Sequence, residues 1–249
     1  FFISIDYRPY SFQTVLRNCR RPHQENVPST GKSSRVKTIS IHTNHFVLHP
    51  SGGVYWKEKQ TWLLADIHLG KVAHFRKNGI AVPREAEGSF YQKMEELLPL
   101  FPVKRILFLG DLFHSFQNNE WYLFEAWVKQ QSFKMVLITG NHDVIPKWKF
   151  TGLGLEVVPQ LEEASFLFHH FPDQDTQVFV FCGHVHPGVR LQGVGRQQIK
   201  LPCFYHNPSQ LILPAFGAFT GLHILKPKLE DHIYVTTGKE VMEIKEKLS

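Results

Sequence analysis

Residues 105–114, RILFLGDLFH, and residues 134–143, KMVLITGNHD, decide how this chain folds. Each is an unbroken apolar run that ends in glycine followed by Asp or Asn. A strand with one wet face alternates apolar and polar residues. An unbroken run implies burial on both faces, as in a parallel strand covered on each side. Between the two runs, NEWYLFEAWVKQQ (119–131) reads as a helix capped by Asn118 or Asn119. Strand, helix and strand in that order predict an α/β fold with a partly parallel sheet.

Upstream, TWLLAD (61–66) supplies a third strand ending in Asp66. TISIHTNHFVLHP (38–50) and GGVYWKEKQTWLLAD (52–66) read as two strands around a Ser51-Gly52-Gly53 turn. Pro83 then opens a helix running to about Leu100, with Phe90, Met94, Leu97 and Leu98 as its apolar face. Downstream of residue 143 the pattern changes. SFLFHH, QVFVFCGHVHP, LPCFYHN, QLILPAF and DHIYVTT are short strands with little helix between them. A second, strand-built sheet packed on the first is expected, giving an α/β, α+β-like two-sheet β-sandwich flanked by helices.

The chain has 249 residues and a formal net charge of +6. That charge is uneven. Residues 1–40 carry seven Lys/Arg against two Asp/Glu, and the remainder 21 against 20, so the body is nearly neutral and gives no compositional argument for nucleic acid. Residues 1–38 are polar, broken by Pro and Gly, and without periodicity. They are read as a disordered or non-native N-terminal extension, and 39–249 as a single domain. Cys19, Cys182 and Cys203 suggest no disulfide framework. There is no run long enough to span a bilayer and no secretory leader, so a cytoplasmic setting without membrane association is expected.

Chemistry concentrates where the apolar runs end. Asp66 and His68 are two apart, which places both side chains on one face of an extended chain, so both reach one ion. Asp111 follows Gly110, Asn141 follows Gly140, and His184 and His186 follow Gly183. A glycine ahead of each lets the chain turn out of the sheet. The C-terminal ends of strands are where ligands converge in open α/β sheets. Oxygen ligands with imidazole suit Mn, Fe or Zn. Two such ions sharing a carboxylate, Asp111, would deprotonate a bridging water and stabilise an in-line displacement at phosphorus. His142 follows a ligand without needing to be one, so it is expected as the acid for the leaving alkoxide, with Asp143 orienting it.

The ordered set DIH (66–68), GDLFH (110–114), GNHD (140–143), HH (169–170) and GHVH (183–186) resembles the calcineurin-like metallophosphoesterases. The resemblance implies a di-metal site. Asp66, His68, Asp111 and His186 match the ligands of one ion, and Asp111, Asn141, His170 and His184 those of the other. His142 matches the catalytic histidine. In FHHFPD, alignment on Pro172 makes His170 the ligand and alignment on the first histidine makes it His169; the former is favoured. A narrower similarity, carried by DIHLGKVAHFRKNGIAVPRE (66–85) and LILPAFGAFTG (211–221), is to the ligase-associated DNA damage response endonucleases, from about residue 46 onward. It implies two divalent ions, most readily Mn²⁺, a phosphodiester substrate such as DNA, and a functional association with a DNA ligase and a helicase in repair. Lys71 and Arg76, with Arg84, are candidates for phosphate contact, and His114 for a substrate contact. The same metal core would serve a small-molecule phosphodiesterase, a pyrophosphatase or a phosphomonoesterase. A non-catalytic scaffold is disfavoured because Asp111, Asn141 and His142 are all present.

Overall fold

The structure, a computed structural model, describes residues 35–71, 88–114, 119–173, 176–192, 197–218 and 220–244. The chain divides into Phe1–Ser33 and Ser34–Ser249, and the fold lies in the second unit. Its first strand opens at Lys37, and Arg35 already bridges to Glu240, both inside the stretch assigned to the extension.

The first sheet holds seven strands in chain order: β1 (Lys37–Ile41), β2 (Asn44–Leu48), β3 (Val54–Trp56), β4 (Thr61–Ala65), β5 (Arg105–Leu109), β6 (Lys134–Ile138) and β7 (Glu156–Val158). The first four are antiparallel and β4 through β7 are parallel. Along β5 the side chains of Ile106 and Phe108 enter one apolar core, and those of Leu107 and Leu109 enter the other. This alternation is the physical reason for the unbroken run: the pleat sends successive residues to opposite faces, and both faces are dry.

One core is closed by helices. Phe90, Met94 and Leu97 of α1 (Ser89–Leu97), and Trp121, Phe124 and Val128 of α2 (Asn119–Val128), pack on Trp62, Ile106 and Phe108. The helical spacing of those residues sets the buried face. A 3₁₀ turn at Leu98–Leu100, containing Pro99, ends α1. The other core lies between the sheets, where Phe46, Trp56, Leu107 and Ile138 meet Phe166, Phe168, Phe181 and Phe204.

The second sheet is built from β8 (Leu161–Glu163), β9 (Phe166–Phe168), β10 (Phe179–Cys182), β11 (Pro187–Gln192), β12 (Gln198–Asn207), β13 (Gln210–Ile212), β14 (His223–Ile224), β15 (His232–Thr236) and β16 (Val241–Ile244). Its main path runs β14-β11-β12-β13-β10-β9-β8, with β15 on β12 and β16 on β15. The sandwich with flanking helices is the architecture expected from the sequence.

Several boundaries differ. The two expected N-terminal strands are four, because each breaks at a tight turn where His42 (φ 52°) and Gln60 (φ 49°) adopt left-handed backbone. Neither is a usual turn residue, so the sequence carries no signal for them. The Ser51-Gly52-Gly53 turn stands between β2 and β3 as expected, closed by His49 N–H donating to Gly53 O at 2.9 Å. The helix expected from Pro83 is described from Ser89; Pro83 lies outside the described residues. A short helix α3 (Lys147–Gly152) follows β6 without having been anticipated. Among the described residues, no helix is long and apolar enough to cross a membrane.

Register sets up the site. Ala65, Leu109 and Ile138 pair across β4, β5 and β6, so these three strands end level. In the second sheet Phe168 pairs with Phe181, and Cys182 with Ile212. The residues that follow each strand therefore emerge at one edge of the sandwich.

Candidate metal centre

Asp66 leaves β4 and is fully buried. Its Oδ2 accepts the His184 backbone N–H at 2.8 Å. Its Oδ1 is buried with no hydrogen-bond donor, 3.4 Å from His186 Nε2 and 4.0 Å from His170 Nδ1. A buried anionic oxygen left without a donor is costly, and a cation between it and the imidazoles removes that cost. His68 Nε2 faces His186 Nε2 at 3.4 Å. Burial pushes the His68 imidazole down to about 2 and lowers that of His184, which favours the neutral, ligating form.

The second group centres on His170. Its Nδ1 lies 3.0 Å from Leu109 O, a carbonyl that only accepts, so Nδ1 carries the hydrogen. That leaves Nε2 to present its lone pair in the neutral ring, and it faces Asn141 Oδ1 at 3.1 Å, His184 Nδ1 at 3.2 Å and Asp111 Oδ1 at 3.5 Å. Fixing one ring nitrogen on a carbonyl to aim the other is how ligating histidines are held. Ligand atoms of Asp66, His68 and His186 lie within 4.8 Å of one another, as do those of Asp66, Asp111 and His170. The seven expected ligands are thus brought together, with Asp66 in range of both groups. The donor set, oxygen and imidazole with a donorless buried carboxylate oxygen, fits hard to borderline divalent cations.

The backbone here is unusual. Asp66 (φ 53°), His68 (φ 53°), Asp111 (φ 50°), His184 (φ 66°) and His186 (φ 51°) are all left-handed. They are five of the nine non-glycine residues with positive φ among those described. Each such conformation costs on the order of 1–3 kcal/mol and persists where the surroundings over-determine it, as functional sites do.

The glycines ahead of the ligands have a second role. Gly110 is left-handed, at φ 79°, as a turn out of the sheet requires. Gly140 and Gly183 are not. A Cβ on Gly140 would stand 2.2 Å from Asp111 Oδ1, and one on Gly183 2.4 Å from Asp66 Oδ2. They are glycine because another strand's carboxylate lies against them. The turn role expected of all three therefore holds for Gly110 and is corrected for Gly140 and Gly183.

Asp143 differs from expectation too. Its carboxylate accepts backbone N–H groups from Gly140 (2.8 Å), Leu112 (2.9 Å), Asp111 (3.0 Å) and Phe113 (3.4 Å). Its partners are main-chain donors of the Asp111 and Asn141 loops rather than the His142 ring. Burial raises its carboxyl above the ordinary range, opposed by the N–H donors. His142 is exposed, its ring centroid 6.2 Å from that of His68 and 5.7 Å from that of His114. His114 lies 5.6 Å from His68 by the same measure. Lys71, half-buried, donates its backbone N–H to His68 O at 3.1 Å. Arg76 and Arg84 lie outside the described residues. His169 points elsewhere: its ring meets Phe171 at 5.6 Å, and its Nδ1 has no hydrogen-bond partner. Cys182 is fully buried with its thiol pushed up by burial, an inert core residue.

Two supports escaped the sequence reading. Phe216 N–H donates to Ala65 O at 2.8 Å and Gly217 N–H to Asp66 O at 3.1 Å, so the LILPAFGAFTG stretch clamps the Asp66 backbone. Lys93 of α1 ties that clamp down by donating to Phe216 O at 2.5 Å. The motif was legible, but its mechanical role was not. Phe171, 37% exposed, rests its ring 4.7 Å from both His170 and His184.

A family model described as calcineurin-like phosphoesterase matches residues 59–214. The solved structure of the Pseudomonas putida nuclease MPE aligns with a TM-score of 0.70 and 29% identity, covering 84% of this chain and 100% of that one. A protein of unknown function, AQ665 from Aquifex aeolicus, aligns at a TM-score of 0.36 and 18% identity over 51% of this chain and 78% of that one. No curated protein matches.

Proposed function

This chain belongs to the calcineurin-like phosphoesterase family, and on that premise we propose that it is a two-metal nuclease that cleaves phosphodiester bonds in DNA. A metal-dependent phosphoesterase follows from the family. Nucleic acid as the substrate is supported by the likeness to a nuclease over 84% of the chain. The single observation that carries the metal reading is Asp66 Oδ1, buried and donorless among imidazole nitrogens.

In this reading Asp66, His68, Asp111 and His186 hold one ion, and Asp111, Asn141, His170 and His184 the other, with Mn²⁺ the preferred metal. When bound, two such ions acidify the attacking water and neutralise charge on the phosphoryl oxygens. The protein's own groups do the rest. His142, exposed beside the cluster, delivers a proton to the leaving oxygen. Asp143 holds the Asp111 and Asn141 loops in register. Lys71 and His114 meet phosphate oxygens at the rim. A cytoplasmic role in DNA repair, alongside a ligase and a helicase, belongs to the same proposal and rests on the resemblance of the 211–221 stretch.

The test compares a small diester, a small monoester, a nucleotide and single-stranded DNA in Mn²⁺, with Asp111→Ala and His142→Ala as controls. Diester and DNA turnover that Asp111→Ala abolishes and His142→Ala lowers by orders of magnitude is expected. Absence of diester turnover, or turnover indifferent to Asp111→Ala, refutes the reading.

A further inference from the structure

Trp148 is 69% exposed, while Trp56, Trp62 and Trp121 are at 4% or less and Trp127 is partly buried. Its helix, α3, is firmly seated. Ile145 and Phe150 are buried, and the Phe150 ring meets Trp121 at 5.4 Å and Phe113 at 6.0 Å. The indole is therefore presented outward by an anchored element. Lys149 Nζ stands 5.4 Å from the Trp148 ring centroid and 5.5 Å from that of Trp121, steadying the indole by cation–π contact. Lys147 is exposed beside it.

The chain that leads from the metal centre to Trp148 is largely exposed. From Asn141 to Trp148 only Ile145 is buried, and His142, Val144, Pro146 and Lys147 are exposed. Trp148 is six positions beyond His142, so the two lie within about 21 Å at roughly 3.5 Å per residue. A few nucleotides of an extended strand cover that distance. An aromatic face flanked by ammonium groups suits a nucleotide, with the base on the ring and phosphates near the lysines. Bases inside a duplex are already stacked on both sides, so only an unpaired base offers a free face.

We propose that Trp148, with Lys147 and Lys149, is a base-stacking subsite that holds single-stranded nucleic acid while the scissile phosphate lies at the Asp66–Asp111 cluster. This rests on the nuclease reading above.

The experiment follows tryptophan fluorescence of the full chain in Mn²⁺ during titration with a phosphorothioate-linked single strand, and with a blunt duplex of the same length. Quenching by the single strand and not by the duplex is expected. Trp148→Ala should abolish the quench and weaken single-strand binding about 5- to 150-fold, the range for loss of one stacked base. Trp148→Phe should retain most of the affinity, because a ring remains. Hydrolysis of a small diester lacking bases should stay within about twofold in both variants, in keeping with a remote subsite. Equal quenching by duplex, or unchanged binding by Trp148→Ala, overturns the subsite. So does concentration-dependent self-association that Trp148→Ala removes, since the indole would then face another protein. If the wild type hydrolyses the small diester and the single strand produces no quench, only the subsite fails. If it does not hydrolyse the diester, the nuclease reading fails first.

Discussion

At the scale of single residues, the 140–143 stretch divides its labour between neighbours. The exposed His142 ring supports none of the loops, only the His142 backbone N–H donating to Asp111 Oδ1 at 2.9 Å, whereas the Asp143 carboxylate accepts from four backbone N–H groups. His142→Ala should lower kcat by about 10²- to 10⁴-fold, the usual worth of a positioned acid, and leave the thermal shift produced by Mn²⁺ unchanged. Asp143→Ala should do the opposite first. It strands buried donors, each costing about 1–3 kcal/mol, so the melting temperature should fall before any catalytic effect is read. Gly183→Ala tests close approach. Its new methyl would meet Asp66 Oδ2 at 2.4 Å and Ala65 Cβ at 2.7 Å. Overpacking of this kind costs roughly 1–3 kcal/mol, and calorimetry should also show Mn²⁺ affinity lost because Asp66 moves. Affinity equal to wild type would mean that Asp66 is no ligand.

At the scale of elements, β12 and β15 make a pH-sensitive seam. His206 pairs directly with His232 across them, and burial holds the His206 imidazole down at about 4, helped by the neighbouring His232. The ordinary value is 6.5, so the unfolded chain binds the proton first as pH falls. The stability contribution is whole above about 6.5, is lost between 6.5 and 4, and changes no further below 4. The loss amounts to at most about 3 kcal/mol for a shift of this size. Denaturant unfolding from pH 7.5 to 4 should show a flatter profile for His206→Gln than for wild type. The elements also divide by legibility. β5 and β6 were readable because burial on two faces forces an unbroken apolar run. The β1–β2 and β3–β4 turns were not, because His42 and Gln60 take a backbone that their residue type does not advertise. The ligands were readable as residue types at strand ends. The contacts of Asp143, Gly140 and Gly183 were not, since each depends on a partner from another strand that sequence order does not reveal.

At the scale of the molecule, both sheets supply the candidate site, so on the proposed ligand set a bound cation would link them. Asp66, Asp111 and Asn141 come from the first sheet, and His170, His184 and His186 from the second. Ligand that binds only the folded state stabilises it by mass action, by about 2.7 kcal/mol at a hundredfold excess over Kd. Chelation should therefore lower the melting temperature of the whole domain in one cooperative step, and Mn²⁺ should restore it. A melting temperature indifferent to chelator and to added Mn²⁺ would refute such a link.

The order of the ligands along the chain has a consequence during synthesis. Asn141 leaves the ribosome 45 residues before His186. At about 5–20 residues per second, that interval lasts roughly two to nine seconds. Through it, the nascent chain carries Asp66, His68, Asp111 and Asn141 without the full set of second-sheet imidazoles, His170, His184 and His186. On the proposed ligand set, filling of both cation sites would thus be a late event in the life of each molecule, open only to chains that have been translated through residue 186.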